Sequence, residues 1–293
     1  MFSNTVRPSP PRTLLRSLYK ATAARTNPTW KGRQLLPYAN RIGGATYTFN
    51  GTKYKLPVND VAGLNNSLHG LLWNKELDVI DTEATQTSAS VLLGYSFNGS
   101  ESGYPFSLTV KIRYTLSSDG FFATVDATNE DVDGWPLPFF NGWHPYFLAT
   151  LATATLTLDP CSAGWNHVDV HVGPQYPPPR YSNMVPTTHV APWSRFDGSL
   201  PFGGNASLPT YFDDEVKSMG ESNCSSSGFK HVLHDADSGI YTTLHVSREF
   251  KFLQIFTGAK SIWGVDAVVL EPLSAMSDSY NNHDNLHIIS AGQ

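Results

Sequence analysis

The sequence predicts an all-β protein, a large antiparallel β-sandwich. Three observations lead to this class. From Ala45 onward, segments alternate apolar and polar residues with the period of two that a half-buried strand requires. Turn signals rich in Gly, Asn and Pro separate these segments, and helical periodicity is nearly absent, the one candidate helix being Pro11–Arg25. Strand after strand without intervening helices favours sheets packed face to face.

The predicted strands can be justified in chain order. The first hairpin is ATYTFNGTKYKL (45–56), which turns at Asn50-Gly51. The clearest is SLTVKIRYTLSSDGFFATVDATNE (107–130), where apolar residues alternate up to a Ser-Asp-Gly turn and the alternation then resumes. Further strands are predicted in ATLTLD (154–159), YTTLHVS (241–247), FKFLQIFTG (250–258) and AVVLEPL (267–273).

The chain has no repeat of fixed period and no clear linker after residue 40, which favours one sandwich domain over residues 29–293. Residues 1–28 form a basic, proline-rich head that we expect to be disordered or to come from a mispredicted gene start. Its Ser/Thr/Arg-rich, acid-free composition is also typical of an organellar transit peptide.

Charge is unevenly distributed along the chain. Residues 1–55 hold ten of the 20 Lys and Arg residues and none of the 25 acids, so the remaining residues carry a formal charge of −15. An acidic body argues against nucleic acid as a partner. The sequence has no apolar run of about 18 residues, which argues against a membrane-spanning helix.

The compartment stays open between extracellular (secreted) and cytoplasmic. Only 15% of residues are charged, against about 25% in ordinary globular proteins, and five Asn-x-Ser/Thr sequons occur, which is typical of secreted proteins. No secretory apolar region is found at the N-terminus, however. Cys161 and Cys224 either form one disulfide or remain two buried thiols, and two cysteines so far apart do not make a metal site.

The stretch NGWHPYFLAT (141–150) contains the first candidate catalytic residue. His144 lies in a stiff apolar frame, so it is either a packed core residue or a positioned proton carrier. Pro145 directly after it would stop a β-ladder, which favours a position at the rim of a sheet. His69, within Leu-His-Gly, is either an ordinary loop histidine or a second site histidine that hydrogen-bonds a substrate hydroxyl.

Carboxylates and one arginine supply the other candidates. At the end of a buried strand Glu271 would be partly desolvated, which raises its pKa and makes it a usable base near neutral pH; on an edge strand it would be exposed. Arg41 is a cation in an apolar setting and needs a buried carboxylate or substrate hydroxyls as acceptors. Asp213 and Asp214 could bind sugar hydroxyls, cap a turn or ligate a cation, and the sequence has no calcium-loop motif to favour the cation.

Together and in this order, these motifs resemble one known family. From about Leu35 to Ile289 the chain resembles the aldose 1-epimerase (galactose mutarotase) family. The motifs that carry the resemblance are Asn40-Arg41-Ile42, Ser67-Leu68-His69-Gly70, Gly142-Trp143-His144-Pro145-Tyr146-Phe147, Asp213 and Leu270-Glu271-Pro272, followed by Asp278-Ser-Tyr-Asn. The stretches around His144 and Glu271 are the more specific ones.

The resemblance implies a fold and a set of site residues. The family fold is an antiparallel supersandwich with the sugar in an open cleft on one sheet. By this resemblance His144 is the general acid and Glu271 the general base. The residues that would hold sugar hydroxyls are Arg41, His69 and Asp213, with Asn40 beside Arg41 and with Asp214 as the alternative to Asp213.

The implied reaction interconverts the α and β anomers of free aldohexoses such as glucose and galactose. It needs only proton transfers, so we expect no cofactor and no metal, and a small-molecule sugar as the partner. Family members normally carry further strands before the Asn-Arg motif. Because the basic head shows no such pattern, we expect N-terminal strands of the fold to be missing, which would leave a sheet edge uncovered.

Three alternatives stay open. A glucose-6-phosphate 1-epimerase would need clustered Arg and Lys around the phosphate. A carbohydrate-binding protein of the same fold would bind sugar without turnover. A glycosidase would need two carboxylates, such as Glu271 and Asp213, facing each other across a glycosidic bond. The preferred sugar, and whether the protein is a monomer or a dimer, also stay open.

Overall fold

The computed structural model describes residues 29–60, 63–159, 162, 164–172, 181–192, 199–203, 212–219, 228–257 and 266–293. The predictions for the head (1–28), for the helix within it and for Cys161 and Cys224 lie outside these residues. In the part of the chain that is described, no helix is long and apolar enough to cross a membrane.

The described chain is built almost entirely of antiparallel strands, as predicted. The strands are β1 (Gln34–Leu35), β2 (Arg41–Ile42), β3 (Thr46–Phe49), β4 (Thr52–Lys55), β5 (Ser67–Leu68), β6 (Asp78–Ala84), β7 (Ser88–Asn98), β8 (Ser107–Ser117), β9 (Gly120–Asn129), β10 (Leu137–Phe139), β11 (Gly142–Trp143), β12 (Tyr146–Leu148), β13 (Ala154–Thr157), β14 (Trp165–Val172), β15 (Tyr181–Pro192), β16 (Ser199–Pro201), β17 (Asp213–Ser218), β18 (Gly228–Asp235), β19 (Ile240–Ser247), β20 (Phe252–Phe256), β21 (Ala267–Leu273) and β22 (His287–Ile289). A 3₁₀ turn at Gly43–Ala45 and a short helix α1 (Ser279–Asn282) complete the described elements.

Three larger sheets form the layers of the fold. The central sheet has the order β1-β11-β21-β20-β17-β14-β15, and β12 also pairs with β21. The first outer sheet has the order β6-β7-β8-β9, and the second outer sheet has the order β16-β13-β18-β19. Short two-stranded pairings, β2-β5, β3-β4 and β10-β22, join the remaining strands.

Both predicted hairpins are confirmed. Strands β3 and β4 pair around Asn50-Gly51, where both residues have positive φ, as this tight turn requires. Strands β8 and β9 pair in continuous register from Ser117↔Gly120 to Leu108↔Asn129. The alternation of apolar residues along these segments therefore reports a true period-two burial pattern.

The central sheet is buried on both faces. One face shares a core with the first outer sheet, in which Phe252 and Leu273 pack with residues such as Val110. The opposite face shares a second core with the second outer sheet, in which Ile255 and Leu270 are buried. A strand buried on both faces reads as a continuous apolar run, which explains the sequence AVVLEPL of β21, all seven residues of which are buried.

The sequons differ in accessibility. Asn50 and Asn98 are exposed at chain turns. Asn65 is exposed as well, but the Ser67 hydroxyl of its sequon is buried and hydrogen-bonds the Tyr38 hydroxyl at 2.6 Å. The other two sequons lie outside the described residues.

Candidate active site

His144 and Glu271 lie opposite each other in the central sheet. Strand β21 pairs with β12 through Tyr146↔Val269 and with β11 through Gly142↔Leu273. The pairing is interrupted between β11 and β12, but both strands have the same register with β21. In this register His144 lies opposite Glu271. Opposite residues in an antiparallel pair point to the same face, with their Cβ atoms about 5 Å apart. His144 Nε2 is accordingly 3.4 Å from Glu271 Oε1.

Two prolines explain why the ladder is interrupted at this point. Pro145 and Pro272 have no N–H group and cannot donate to a β-ladder. The polar pair therefore lies where two adjacent strands run side by side without regular backbone hydrogen bonds. Glu271 was expected at a strand end; it is the fifth of the seven residues of β21, and it is 3% exposed, so the edge-strand alternative is wrong.

The environment of the pair favours its uncharged form. Burial lowers the pKa of His144 from 6.5 to about 3. Burial, followed by the nearby charge of Asp213, raises the pKa of Glu271 well above its ordinary value. Without a ligand, the arrangement that is favoured is therefore a protonated Glu271 carboxyl group beside a neutral His144 imidazole. His144 Nδ1 and Glu271 Oε2 are buried and have no hydrogen-bond partner among the described residues.

His69 completes a compact group with this pair. Its ring centroid is 5.0 Å from that of His144, and its Nδ1, which has no hydrogen-bond partner among the described residues, is 4.0 Å from Glu271 Oε2. Burial, and then the proximity of His144, lowers the pKa of His69. The alternative of an exposed loop histidine is wrong, since His69 is 5% exposed.

The local backbone holds His69 in an unusual conformation. Its φ is 62°, in the left-handed region, and its N–H donates to Asn40 O at 2.9 Å. Gly70 follows with φ 75°, and a Cβ there would lie 2.1 Å from Leu36 O. The Leu-His-Gly motif thus needs glycine for a close backbone approach. Non-glycine residues with positive φ are often held at functional sites.

Asn40 and Arg41 lie on the adjacent corner of the chain. Asn40 Nδ2 donates to Gln254 Oε1 at 3.2 Å, and Arg41 Nη1 donates to Asn40 Oδ1 at 3.4 Å. Arg41 Nε donates to the buried carboxylate of Asp60 at 2.9 Å. The acceptor expected for this arginine is therefore an aspartate that the sequence reasoning did not single out.

Asp213 shares a face of the sheet with Glu271, whereas Asp214 does not. Residue Asp214 lies opposite Ile255, which packs into the second core, and it hydrogen-bonds His167 at 2.7 Å. Asp213 accepts a hydrogen bond from Gln254 Nε2 at 2.7 Å. Burial, opposed by Arg41, raises the pKa of Asp213 to about 6.

Gln254 is a site residue that the sequence reasoning missed. It lies directly opposite Glu271 in the β20–β21 pairing, and its amide joins Asn40 to Asp213. A polar residue within the apolar run FKFLQIFTG was an available signal, similar to that of Glu271 in AVVLEPL. On its other side Gln254 lies opposite Glu215. One row of polar side chains therefore runs from His144, between β11 and β12, across three strands through Glu271, Gln254 and Glu215.

A cleft lies over one end of this row. Its lining residues include Asn40, Arg41, Asp213, Gln254 and Glu215. Gln254 lines the cleft and is the sheet neighbour of Glu271. Glu271 and His144 therefore lie next to the cleft, on the buried side of Gln254.

The two aromatic residues beside His144 have packing roles. Trp143 packs against the second core, on the face opposite the pair. Tyr146 is 3% exposed, its ring is stacked 5.3 Å from that of His144, and Lys31 Nζ lies 5.0 Å from its centroid. The contacts of both residues are therefore those of packing.

His69, His144 and Glu271 also constitute a possible metal-ligand set, since their ligand atoms lie within 4.8 Å of one another. Two ligands about 2.0–2.2 Å from one zinc ion can be at most about 4.4 Å apart. The distances of 3.4 Å between His144 Nε2 and Glu271 Oε1 and of 4.0 Å between His69 Nδ1 and Glu271 Oε2 are within this limit.

Comparison with known proteins gives the family. The family model described as aldose 1-epimerase matches residues 8–293, nearly the whole chain. The chain belongs to the aldose 1-epimerase family.

Two curated relatives of this family member come from Escherichia coli (strain K12). The uncharacterized protein YihR is 28% identical over 144 residues, which is 49% of this chain and 44% of YihR. The uncharacterized protein YphB is 31% identical over 113 residues, 39% of this chain and 35% of YphB. The chain thus matches less than half of the length of either relative.

Solved structures show the aldose 1-epimerase fold. A galactose mutarotase-like protein from Clostridium acetobutylicum has a TM-score of 0.74 at 18% identity, covering 94% of this chain and 80% of that protein. A GalM/aldose epimerase homologue from C. elegans has a TM-score of 0.74 at 18% identity, covering 96% and 84%. The predicted mutarotase-like β-sandwich is therefore confirmed.

Proposed function

We propose that the protein is an aldose 1-epimerase that interconverts the α and β anomers of free aldohexoses by acid–base ring opening and closure. The observation that carries the proposal is the 3.4 Å approach of His144 Nε2 and Glu271 Oε1 on one face of the central sheet. Both groups are buried, and each has a further polar atom without a hydrogen-bond partner among the described residues.

The reaction requires an acid and a base that are close neighbours. The anomeric hydroxyl and the ring oxygen are bonded to the same carbon, so the two groups must reach adjacent oxygens rather than opposite sides of the sugar. Glu271 takes the proton of the anomeric hydroxyl while His144 gives a proton to the ring oxygen, and the ring opens to the aldehyde. After rotation about the first carbon–carbon bond, the same transfers in reverse close the ring on the other face.

The pair must be ionised to begin in these roles. Burial favours carboxyl and imidazole in their neutral forms, so the sugar has to stabilise carboxylate and imidazolium. Hydrogen bonds to charged groups are about twice as strong as those between neutral groups. Sugar hydroxyls that reach Glu271 Oε2 and the anomeric oxygens that face His144 would supply such bonds. The pair then titrates as one coupled unit.

The remaining polar residues of the site would bind the other hydroxyls. Asp213 offers an acceptor, and His69 and Arg41 offer nitrogen atoms toward the same region. Asn40 and Gln254 connect these groups through hydrogen bonds of 3.2 Å and 2.7 Å, which limits their movement. Preorganised donors and acceptors reduce the ordering that binding requires.

The charges around the cleft favour a free sugar over a sugar phosphate. Asp213, Asp214 and Glu215 line the cleft, and the Nε of Arg41 is bonded to Asp60. Among the described residues, the lining contains one Arg and no Lys. A phosphate group would need several cations or backbone amides to replace its hydration.

The test is the rate at which freshly dissolved α-D-glucose and α-D-galactose reach anomeric equilibrium, followed by polarimetry. We expect the protein to accelerate equilibration well above the buffer rate and Glu271→Gln to abolish the acceleration. A folded protein that equilibrates neither sugar would refute the proposal. If it binds the sugars without exchange, the non-catalytic alternative is correct; if it is saturated by glucose 6-phosphate and not by glucose, the phosphosugar alternative is correct.

A further inference from the structure

Glu215 is a buried carboxylate of the site to which the proposed reaction gives no role. It lies on β17, opposite Gln254 and on the same face as Asp213, and it is 4% exposed. Among the described residues, its carboxylate accepts hydrogen bonds from Ser277: the backbone N–H at 3.1 Å and 3.3 Å to the two oxygens, and the side-chain hydroxyl. Burial raises the pKa of Glu215 to about 7, against the opposing effect of these bonds.

The residue after Ser277 is hydrogen-bonded to the corner that carries Arg41. The N–H of Asp278 donates to Arg41 O at 2.7 Å. In return, Asp278 Oδ1 accepts from the Gly43 N–H at 2.8 Å, and from Asn281 Nδ2 at 2.7 Å. Asp278 has a φ of 63°, in the left-handed region that non-glycine residues adopt uncommonly. The hydrogen bonds from Ser277 to Glu215 restrain the backbone directly before Asp278.

These contacts form a closed ring through the site. Ser277 and Asp278 lead from Glu215 to the backbone of Arg41, and Arg41 leads through Asn40 to Gln254. Gln254 lies beside Glu215 in the sheet, which closes the ring. Every link is a hydrogen bond, a peptide bond or a strand pairing. A shift of the 277–278 segment would therefore move the groups that face the sugar.

We propose that Glu215 is a positioning residue that fixes Arg41 and Asn40 at the sugar by holding Ser277 and Asp278 in place. This inference rests on the proposed function, because it assigns the ring to sugar binding. A carboxylate is costly to bury, and hydrogen bonds to a charged group are stronger than those to a neutral one. The buried carboxylate of Glu215 thus lowers the stability of the fold, while its hydrogen bonds restrain the backbone segment 277–278.

The test uses the full chain with Glu215→Gln, Ser277→Ala and the double variant. The glutamine keeps the shape of Glu215 but removes its charge and one of the two oxygens that accept from Ser277, so the remaining bonds are weaker. Asp235→Asn is the matched control. Asp235 is also a buried acid that holds a turn, since it accepts from Thr150 N at 3.2 Å and from Thr153 Oγ1 at 2.9 Å, but it lies in the second outer sheet.

Two readouts are needed: KM and kcat for anomer exchange, and hydrogen exchange of the Gly43 and Asp278 amides. We expect Glu215→Gln to raise KM by about five- to ten-fold with kcat within about two-fold, the pattern of lost binding rather than lost chemistry. Both amides should exchange faster. Ser277→Ala should act more weakly in the same direction, and the double variant should resemble Glu215→Gln, because the two groups share one interaction.

The proposal is overturned if Glu215→Gln leaves KM and both amides unchanged, or if the two substitutions are additive in the double variant. It is also overturned if Asp235→Asn raises KM equally, because the effect would then come from general destabilisation. If Glu215→Gln does not fold, Ser277→Ala alone decides between these outcomes. If the wild-type protein turns over no sugar, the proposed function fails, while the amide exchange still decides whether Glu215 holds the segment.

Discussion

Replacing Glu271 by glutamine should have opposite effects on activity and stability. The amide has nearly the shape of the carboxyl group, but it cannot accept the proton of the anomeric hydroxyl. A general base contributes about 10²–10⁴-fold to a rate, so anomer exchange should fall by at least about 100-fold. His144 remains in place, and the loss therefore measures the base alone.

The stability gain follows from the burial of Glu271. Its pKa is raised in the folded protein, so protonation of Glu271 stabilises the folded state relative to the unfolded state. That contribution is complete below the ordinary pKa of 4.5 and is lost as the pH rises through the raised folded value. The glutamine variant has no such loss. Glutamine removes the cost of ionising a carboxyl group that is buried without its full set of hydrogen bonds, and we estimate a gain of about 1–3 kcal/mol at pH 8.

Polarimetry and thermal unfolding test both effects on the same samples. For a chain of this size the gain corresponds to a rise in Tm of about 2–6 °C at pH 8, shrinking as the pH approaches 4.5. Activity within ten-fold of the wild type would show that Glu271 is not the base. A variant no more stable at pH 8 than the wild type would show that the buried carboxyl carries no unfavourable charge.

Three further substitutions test other parts of the site. The pKa of Asp213 is raised to about 6, so the ionised acceptor forms as the pH rises through that value and KM should fall between pH 5 and 7. Asp213→Asn should remove the part of this fall that is centred near pH 6, as initial rates at several pH values would show. Gly70→Ala should destabilise the fold by about 3 kcal/mol or more, measured by denaturant unfolding, because its Cβ would lie 2.1 Å from Leu36 O at a φ of 75°; an unchanged midpoint would contradict this. Arg41→Lys should raise KM about ten-fold with little change in kcat, because lysine cannot bond Asp60 and the site with one planar group; a fall in kcat alone would instead assign Arg41 to the chemical step.

The fold class was predictable because alternation along the strands is a local signal. The β8–β9 hairpin, for example, has its period, its turn residues and its register within the single stretch Ser107–Asn129. The pairing of distant strands is not local. His144 and Glu271 are opposite each other because two short strands share one register with β21, and the sequence expectation of that pairing came from the family resemblance alone.

The residues that were missed share one physical reason. Gln254 and Glu215 are polar residues in strands, and only their cross-strand neighbours show that both face the site. The same reason left Asp213 and Asp214 equivalent in the sequence, because adjacent residues of a strand point to opposite faces and nothing local tells which face carries the candidate site. The predicted strand AVVLEPL (267–273) has the observed bounds, and only the placement of Glu271 at its end was wrong, since Glu271 is its fifth residue.

The prolines on either side of the acid–base pair have a consequence for how such a protein can diversify. Pro145 and Pro272 open a gap in the ladder, but the strands around it keep their alignment, so the imidazole and carboxyl groups are fixed by the sheet rather than by a loop. In the proposed function, hydroxyl recognition depends instead on corners and connections such as the Asn40-Arg41 corner and the segment after β21. Substitutions or insertions in those connections could change which sugar fits while the distance between imidazole and carboxyl stays the same.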